Sequence, residues 1–326
     1  MKAIYFIAGG FRDAAKVGQA FPSVKFVSVD SVTDLAREIP DAEILFTANS
    51  VYEADAAQVI RDKGKALRWI HFKTSGVDKA VKHGLPAGVP VTNSPGLSAP
   101  CHAEHAMGML LLLTRRFRQI DADRARKAWT RREIGKQMVS LVGKAMAVVG
   151  FGAIGQAMAR YAKAFGMRVV VVSRGAETGP TVDAVVGRDR LGDALAEADV
   201  VATCTVLTAD TRHMIGAKEL ARMKPSAYLL NVARGDLVDE MAMAVALKAG
   251  KLAGAGLDVF SDEPPADDHP FWTLDNVVMT PHVSGAGFDS DIRATEIVVD
   301  NMRRYLGKQP LDFVLGPERL TLGSDA

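Results

Sequence analysis

The chain has 326 residues, 48% of them apolar and 6% aromatic, with 40 basic side chains against 38 acidic ones for a net charge of +2. That length exceeds one ordinary core and predicts two domains, and the near-neutral balance gives no ground for expecting a nucleic-acid partner. Two cysteines, Cys101 and Cys204, cannot make a disulfide framework and lack metal-site spacing to any histidine, no stretch approaches membrane-spanning length, and the apolar run at 4–8 is too short for a signal peptide, so a reducing, cytoplasmic setting with no membrane partner and no metal is expected.

Residues 2–8 (KAIYFIA) read as a buried strand, turned by Gly9 and Gly10 into a helix near 13–20. Further strands are expected at 24–29, 44–47 and 68–72, with helices at 33–39 and 54–63 between them. Strand and helix therefore alternate up to VPVTNSPG, where Pro90, Pro95 and Gly96 break the pattern, which is the signature of a parallel sheet covered on both faces. A helix over 99–116 follows, with Ser98 as its expected N-cap, Pro100 in its first turn and the run MGMLLLL predicting burial between domains. His102, Glu104 and His105 lie near its start but lack the i, i+4 pairing of a helical zinc site, so they are read as capping or surface groups. Residues 115–136 carry nine Lys or Arg against three acids, with only Phe117 and Trp129 as aromatics and no recognisable nucleic-acid motif, which reads as a solvated helical face.

A second alternating series begins at 145. The stretch AMAVVGFGAIG is an apolar strand followed by Gly150, Gly152 and Gly155 and then a helix, the spacing of a dinucleotide site. Gly150 permits the sharp turn, Gly152 lets backbone approach a pyrophosphate, and Gly155 lets helix and strand pack closely. Strands are expected at 168–172, 200–205, 227–232, 253–259 and 276–280, with helices at 154–165, 191–197, 239–249 and 287–306.

Candidate chemistry lies at the ends of these strands, where open α/β sheets bind ligands. Where an acid would read the ribose of NAD stand Ser173 and Arg174, a hydroxyl and a guanidinium suited to a 2′-phosphate. NADP(H) is thus preferred and NAD(H) kept as the alternative. Arg234 follows a buried strand, and its planar fork suits a carboxylate, the plain alternative being an ion pair with Asp236 or Asp239. Glu263 and His282 follow two more strands; paired, the carboxylate would raise the imidazole pKa above its ordinary value of roughly 6.5 and fix its tautomer.

Four segments, VGFGAIGQAMAR, NVARGDLVDE, GAGLDVFSDEPP and NVVMTPHVSG, together with TSGVD, VTNSPG and AEHA upstream, resemble the D-isomer-specific 2-hydroxyacid dehydrogenases in order and spacing over about residues 68–306. The resemblance implies two doubly wound parallel-sheet α/β domains, a Rossmann cofactor domain at 98–285 inserted into a flavodoxin-like substrate domain made of 1–97 and 286–326. It implies that Arg234 binds the substrate carboxylate, that His282 is the general acid of 2-oxo acid reduction, and that Glu263 holds His282. It also implies that the amides of Ser75, Gly76 and Val77 bind carboxylate, that those of Ala153 and Ile154 bind pyrophosphate, and that Asp258 meets the nicotinamide carboxamide, a buried structural role being the alternative. A homodimer is expected on the same ground. Glu263 stands where formate dehydrogenases carry Gln, and Ser75 where phosphite dehydrogenases place Lys, so neither substrate is favoured. Cys101 and His102 occupy positions that the family usually gives to small or apolar residues. The expected activity is reduction of a small 2-oxo acid, glyoxylate or hydroxypyruvate first, to the D-2-hydroxy acid; the rival is a nucleotide-sensing corepressor-like protein on the same fold.

Overall fold

Among the described residues, apolar runs bounded by glycine and proline form twelve short strands, and nearly all are buried on both faces, as parallel strands covered by helices must be. The computed structural model describes residues 1–7 and 14–316. The expected turn at Gly9 and Gly10, and the tail beyond 316, lie outside the described residues. The chain divides into two units, Met1–Leu97 with the chain from Gly287 onward, and Ser98–Ala286. The sequence places the second boundary after 285; the division falls after Ala286.

The first unit runs β1 (Lys2–Phe6), α1 (Ala14–Ala20), β2 (Lys25–Val29), α2 (Val32–Glu38), β3 (Ile44–Thr47), α3 (Ala54–Lys63), β4 (Trp69–Phe72), α4 (Asp78–His83) and β5 (Val91–Asn93). Its sheet has the order β2-β1-β3-β4-β5, every neighbour parallel, which is the flavodoxin-like winding. One face carries Ile4, Leu45, Ile70 and Phe72 against α2 and α3; the other carries Tyr5, Phe46 and Trp69. Ser31 caps α2 by accepting from the Asp34 amide at 3.1 Å. β5 was not foreseen: three residues inside a proline-flanked stretch give no periodicity to read.

In the second unit α5 (Ala99–Thr114), α6 (Phe117–Ala125) and α7 (Arg131–Gly135) precede the series β6 (Ala145–Val149), α8 (Ala153–Ala164), β7 (Arg168–Val172), β8 (Ala184–Val186), α9 (Leu191–Glu197), β9 (Val200–Thr203), α10 (Ala217–Leu220), β10 (Tyr228–Asn231), α11 (Glu240–Lys248), β11 (Gly254–Leu257) and β12 (Val277–Met279). Sheet order is β12-β11-β10-β9-β6-β7-β8, all parallel, the Rossmann winding with one strand more. The winding reverses direction between β6 and β9, so the loop after β6 opens at the switch point. Buried alanines on both helices let α5 and α8 pack together over the sheet. The last helix, α12 (Phe288–Leu306), belongs to the first unit, where Val298 and Met302 cover Tyr5 and Trp69.

Two expectations need correction. Ser98 does not cap α5 through its side chain, since its backbone sits at φ −104°, ψ 11° rather than in the extended cap geometry. Residues 115–136 are not one helical face either. The chain turns at Arg116 and Lys127, both at positive φ, and the intervening segment is tied to the buried Asp123, whose carboxylate takes the Arg126 guanidinium and the Thr130 hydroxyl.

Candidate active site

The glycine loop serves packing at two positions and leaves the backbone bare at the third. Gly150 has φ +97°, and a Cβ there would lie 2.7 Å from the Thr205 amide nitrogen. A Cβ on Gly155 would lie 2.1 Å from the Gly150 carbonyl oxygen, so α8 approaches β6 only because no side chain intervenes. At Gly152, by contrast, a Cβ would meet nothing within 4 Å, and Gly152 and Ala153 are exposed at the start of the twelve-residue α8. Open space in front of a helix N-terminus, with its free amides and positive dipole end, fits the pyrophosphate of a dinucleotide. Ile154 is the next residue of that first turn and is half-buried. Ser173 and Arg174 directly follow β7, the first half-buried and the second exposed. The Ser173 amide donates to the Val186 carbonyl at 3.1 Å, so β8, a three-residue strand not read from the sequence, fixes where this pair stands.

Arg234, Glu263 and His282 lie on the loops after β10, β11 and β12, three adjacent strands. Two of these loops are pressed together at Gly235, where a Cβ would fall 2.0 Å from the Phe260 carbonyl carbon. Asp236 pairs with Arg212 at 2.9 Å, and Asp239 caps α11 by accepting from the Ala242 amide at 2.9 Å, so the plain alternative for Arg234 is not what these two acids do. The Arg234 side chain also donates to the Ala233 carbonyl at 2.6 Å.

His282 Nδ1 lies 2.7 Å from Glu263 Oε2. A carboxylate only accepts, so Nδ1 carries the proton of this bond. The other Glu263 oxygen accepts from the Phe260 amide at 3.1 Å, which aims the carboxylate. Burial works against the charge on Glu263, but the bonds from His282 and Phe260, with Arg234 nearby, hold its pKa below the ordinary value. His282 has φ +52°, a left-handed conformation that histidine tolerates better than most residues.

Asp258, wholly buried, explains how that backbone is held. Its carbonyl accepts from the His282 amide at 2.8 Å, and its carboxylate accepts from the amides of Val283 at 2.9 Å and Ser284 at 2.8 Å and from the Thr280 hydroxyl. His105 Nε2 reaches Thr280 Oγ1 at 2.9 Å. The carboxylate expected to meet the nicotinamide thus also anchors the loop that carries His282.

In the first unit the TSGVD turn is braced by β5. Ser75 donates through its hydroxyl to the Ser94 carbonyl at 2.6 Å, Asn93 donates to the Ser75 carbonyl at 2.6 Å, and Thr74 donates to the Gly76 carbonyl at 2.8 Å. The Ser75 hydroxyl is therefore committed within the fold. Ser75 and Gly76 are half-buried and Val77 is buried, preceding α4. His71, wholly buried, continues this network through Ser94 Oγ at 3.2 Å and Thr92 Oγ1 at 2.8 Å.

His102, Glu104 and His105 serve three different partners: the Ser98 carbonyl, the Tyr161 hydroxyl and Thr280. Among the described residues no group of three or more His, Cys, Asp or Glu is arranged to hold a metal, and no helix is long and apolar enough to cross a membrane. Thr280, Asn93, Ser94 and His71 went unread in the sequence. A buried histidine inside the apolar strand WIHF was the one available signal.

Residues 107–284 match the family described as D-isomer specific 2-hydroxyacid dehydrogenase, NAD binding domain. The chain is 35% identical to a glyoxylate reductase of Thermococcus litoralis, over 89% of this chain and 85% of that one. It is 33% identical to a hydroxypyruvate reductase of Thermotoga maritima, covering 84% and 88%. A D-3-phosphoglycerate dehydrogenase of Methanocaldococcus jannaschii is 33% identical over 90% of this chain, which spans only 56% of that protein's length. Among solved structures, a D-isomer specific 2-hydroxyacid dehydrogenase family protein from Aeromonas salmonicida superposes with a TM-score of 0.84 at 29% identity, over 97% of this chain and 98% of that one.

Proposed function

The chain belongs to the D-isomer-specific 2-hydroxyacid dehydrogenases, NAD(P)-dependent oxidoreductases acting on 2-hydroxy acids, and from that premise we propose that it reduces a small 2-oxo acid of the glyoxylate or hydroxypyruvate kind to the D-2-hydroxy acid, with NADPH preferred. The observation that carries this reading is the 2.7 Å bond between His282 Nδ1 and Glu263 Oε2, with Arg234 within electrostatic reach of the same carboxylate.

When bound, the dihydronicotinamide supplies the hydride that arrives at C2. The residues of this chain handle the charge that follows. Negative charge grows on the keto oxygen, and His282, whose Nδ1 proton is committed to Glu263, has Nε2 left to deliver a proton there. Glu263 orients the ring and fixes its tautomer. Arg234 binds the carboxylate through its planar fork and stabilises the growing oxyanion. The amides of Ser75, Gly76 and Val77 are assigned to the substrate carboxylate. Gly150, Gly152, Ala153, Ile154 and Gly155 form the pyrophosphate loop, and Ser173 with Arg174 receives the 2′-phosphate. Asp258 is assigned to the nicotinamide carboxamide.

A second copy of the chain is the proposed partner. Phe117, Trp129 and Val142 of the second unit are 49%, 92% and 74% exposed, and covering apolar side chains of this kind favours association. Light scattering on the purified protein tests this. The activity is tested by NADPH oxidation against a panel of 2-oxo acids; no turnover with any of them, alongside tight nucleotide binding, would instead favour the corepressor-like reading.

A further inference from the structure

His102 stands in the first turn of α5, and the reaction described above gives it no task. Its surroundings define its chemistry closely. Nδ1 lies 2.7 Å from the Ser98 carbonyl oxygen, an atom that can only accept, so Nδ1 carries the proton. Nε2 is then a bare acceptor as long as the ring is neutral. Burial is the largest influence on the ring and keeps its pKa below the usual histidine value; the Ser98 carbonyl and Asp258 oppose this, and Arg234 and His282 add to it. The ring is therefore close enough to Arg234 and His282 to feel both.

Its position is fixed from the other side by Gly285. A Cβ there would lie 2.7 Å from His102 Cε1 and 3.1 Å from Nε2, so this edge of the imidazole rests on the backbone three residues past His282. The two groups assigned to the substrate's carboxylate and keto oxygen, Arg234 and His282, are both donors. The acceptor Glu263 is engaged by His282 and by the Phe260 amide. His102 Nε2 has no protein donor among the described residues, so it is left to water or to a ligand group with a proton to give.

We propose that His102 is a specificity-determining residue of this site, its Nε2 accepting a hydrogen bond from a hydroxyl on the carbon next to the keto group and so selecting a 3-hydroxy-2-oxo acid over a 2-oxo acid of the same size. This rests on the reading of the protein as a 2-oxo acid reductase. A carbon chain bearing a methyl group in place of the hydroxyl fills the same volume and leaves the imidazole nitrogen unpaired. One hydrogen bond of this kind corresponds to about a tenfold preference.

The test uses the full chain with NADPH and compares kcat/KM for hydroxypyruvate with kcat/KM for 2-oxobutyrate, its methyl counterpart. The wild type should favour hydroxypyruvate. His102→Leu should lower that ratio about tenfold, and His102→Gln, whose amide oxygen also accepts, should recover part of it. If circular dichroism shows the Leu variant misfolded, His102→Phe, which keeps a ring against Gly285, gives the same comparison. A ratio within twofold of wild type in the Leu or Phe variant, or a parallel fall for both acids, overturns the assignment of His102 while leaving the reductase reading standing. A wild-type protein that turns over neither these acids nor glyoxylate overturns the reductase reading, and this inference with it.

Discussion

Asp258 holds His282 from below: its carbonyl oxygen accepts the His282 amide at 2.8 Å while its carboxylate accepts the next two amides, Val283 and Ser284. The left-handed backbone of His282 is thereby over-determined, which is how strained conformations persist at functional sites. Removing the carboxylate should release the loop. Asp258→Ala leaves buried donors unsatisfied and is expected to cost on the order of 2–4 kcal/mol of stability in urea unfolding. Activity at permissive temperature should fall through kcat more than through KM, because the proton donor is misplaced.

The His282–Glu263 pair separates charge from geometry. His282→Ala should lower kcat by about 100-fold or more, the usual worth of a positioned general acid. Unchanged turnover in that variant would sink the assignment. Glu263→Gln keeps an acceptor for Nδ1 and removes the charge, so its loss should be smaller, and visible in the pH–rate profile rather than in folding.

The depressed pKa of Glu263 gives a direction for its own pH dependence. Its folded value lies below the unfolded one, so the stability it contributes is present above the ordinary glutamate range and disappears as pH falls through the folded value. The wild type should therefore keep this contribution into moderately acidic solution. Glu263→Gln should show a flatter acid limb in unfolding experiments.

His71 behaves in the opposite chemical sense with the same outward sign. Wholly buried, its pKa falls to about 3 because burial disfavours the imidazolium. Below roughly pH 6.5 the unfolded chain takes up a proton that the folded chain refuses. Stability is thus full above that pH and declines between it and about 3, by at most roughly 5 kcal/mol. His71→Gln should flatten urea-unfolding free energies across this window, even if it lowers them at neutral pH.

Cofactor choice is tested at the end of β7. Replacing Ser173 with Asp and Arg174 with Ala exchanges a phosphate-binding pair for a carboxylate that repels phosphate and accepts from a ribose hydroxyl. The ratio of kcat/KM for NADPH to that for NADH should fall by about 100-fold. No shift would refute the role assigned to these two residues.

Much of this was written in local pattern. Continuous apolar runs separated by helical stretches dictate parallel strands covered on both faces, and each glycine of VGFGAIG has a task that spacing alone reveals. The arrival of Arg234, Glu263 and His282 just past strand ends was equally legible. What spacing does not contain is adjacency. Glu263 and His282 meet because β11 and β12 pair in register, a choice made by the whole sheet. Strands of three residues, β5 and β8, carry too little periodicity to announce themselves, yet they brace the TSGVD turn and the Ser173–Arg174 pair. The breaks at Arg116 and Lys127 were hidden because neither residue is a glycine. Asp258 shows the limit most plainly. The sequence placed a carboxylate at a strand end, but only the packed interior decides whether that carboxylate faces a ligand or the loop beside it. Side-chain direction at such an end follows from which backbone donors the fold leaves to be satisfied, and that is a property of the tertiary structure.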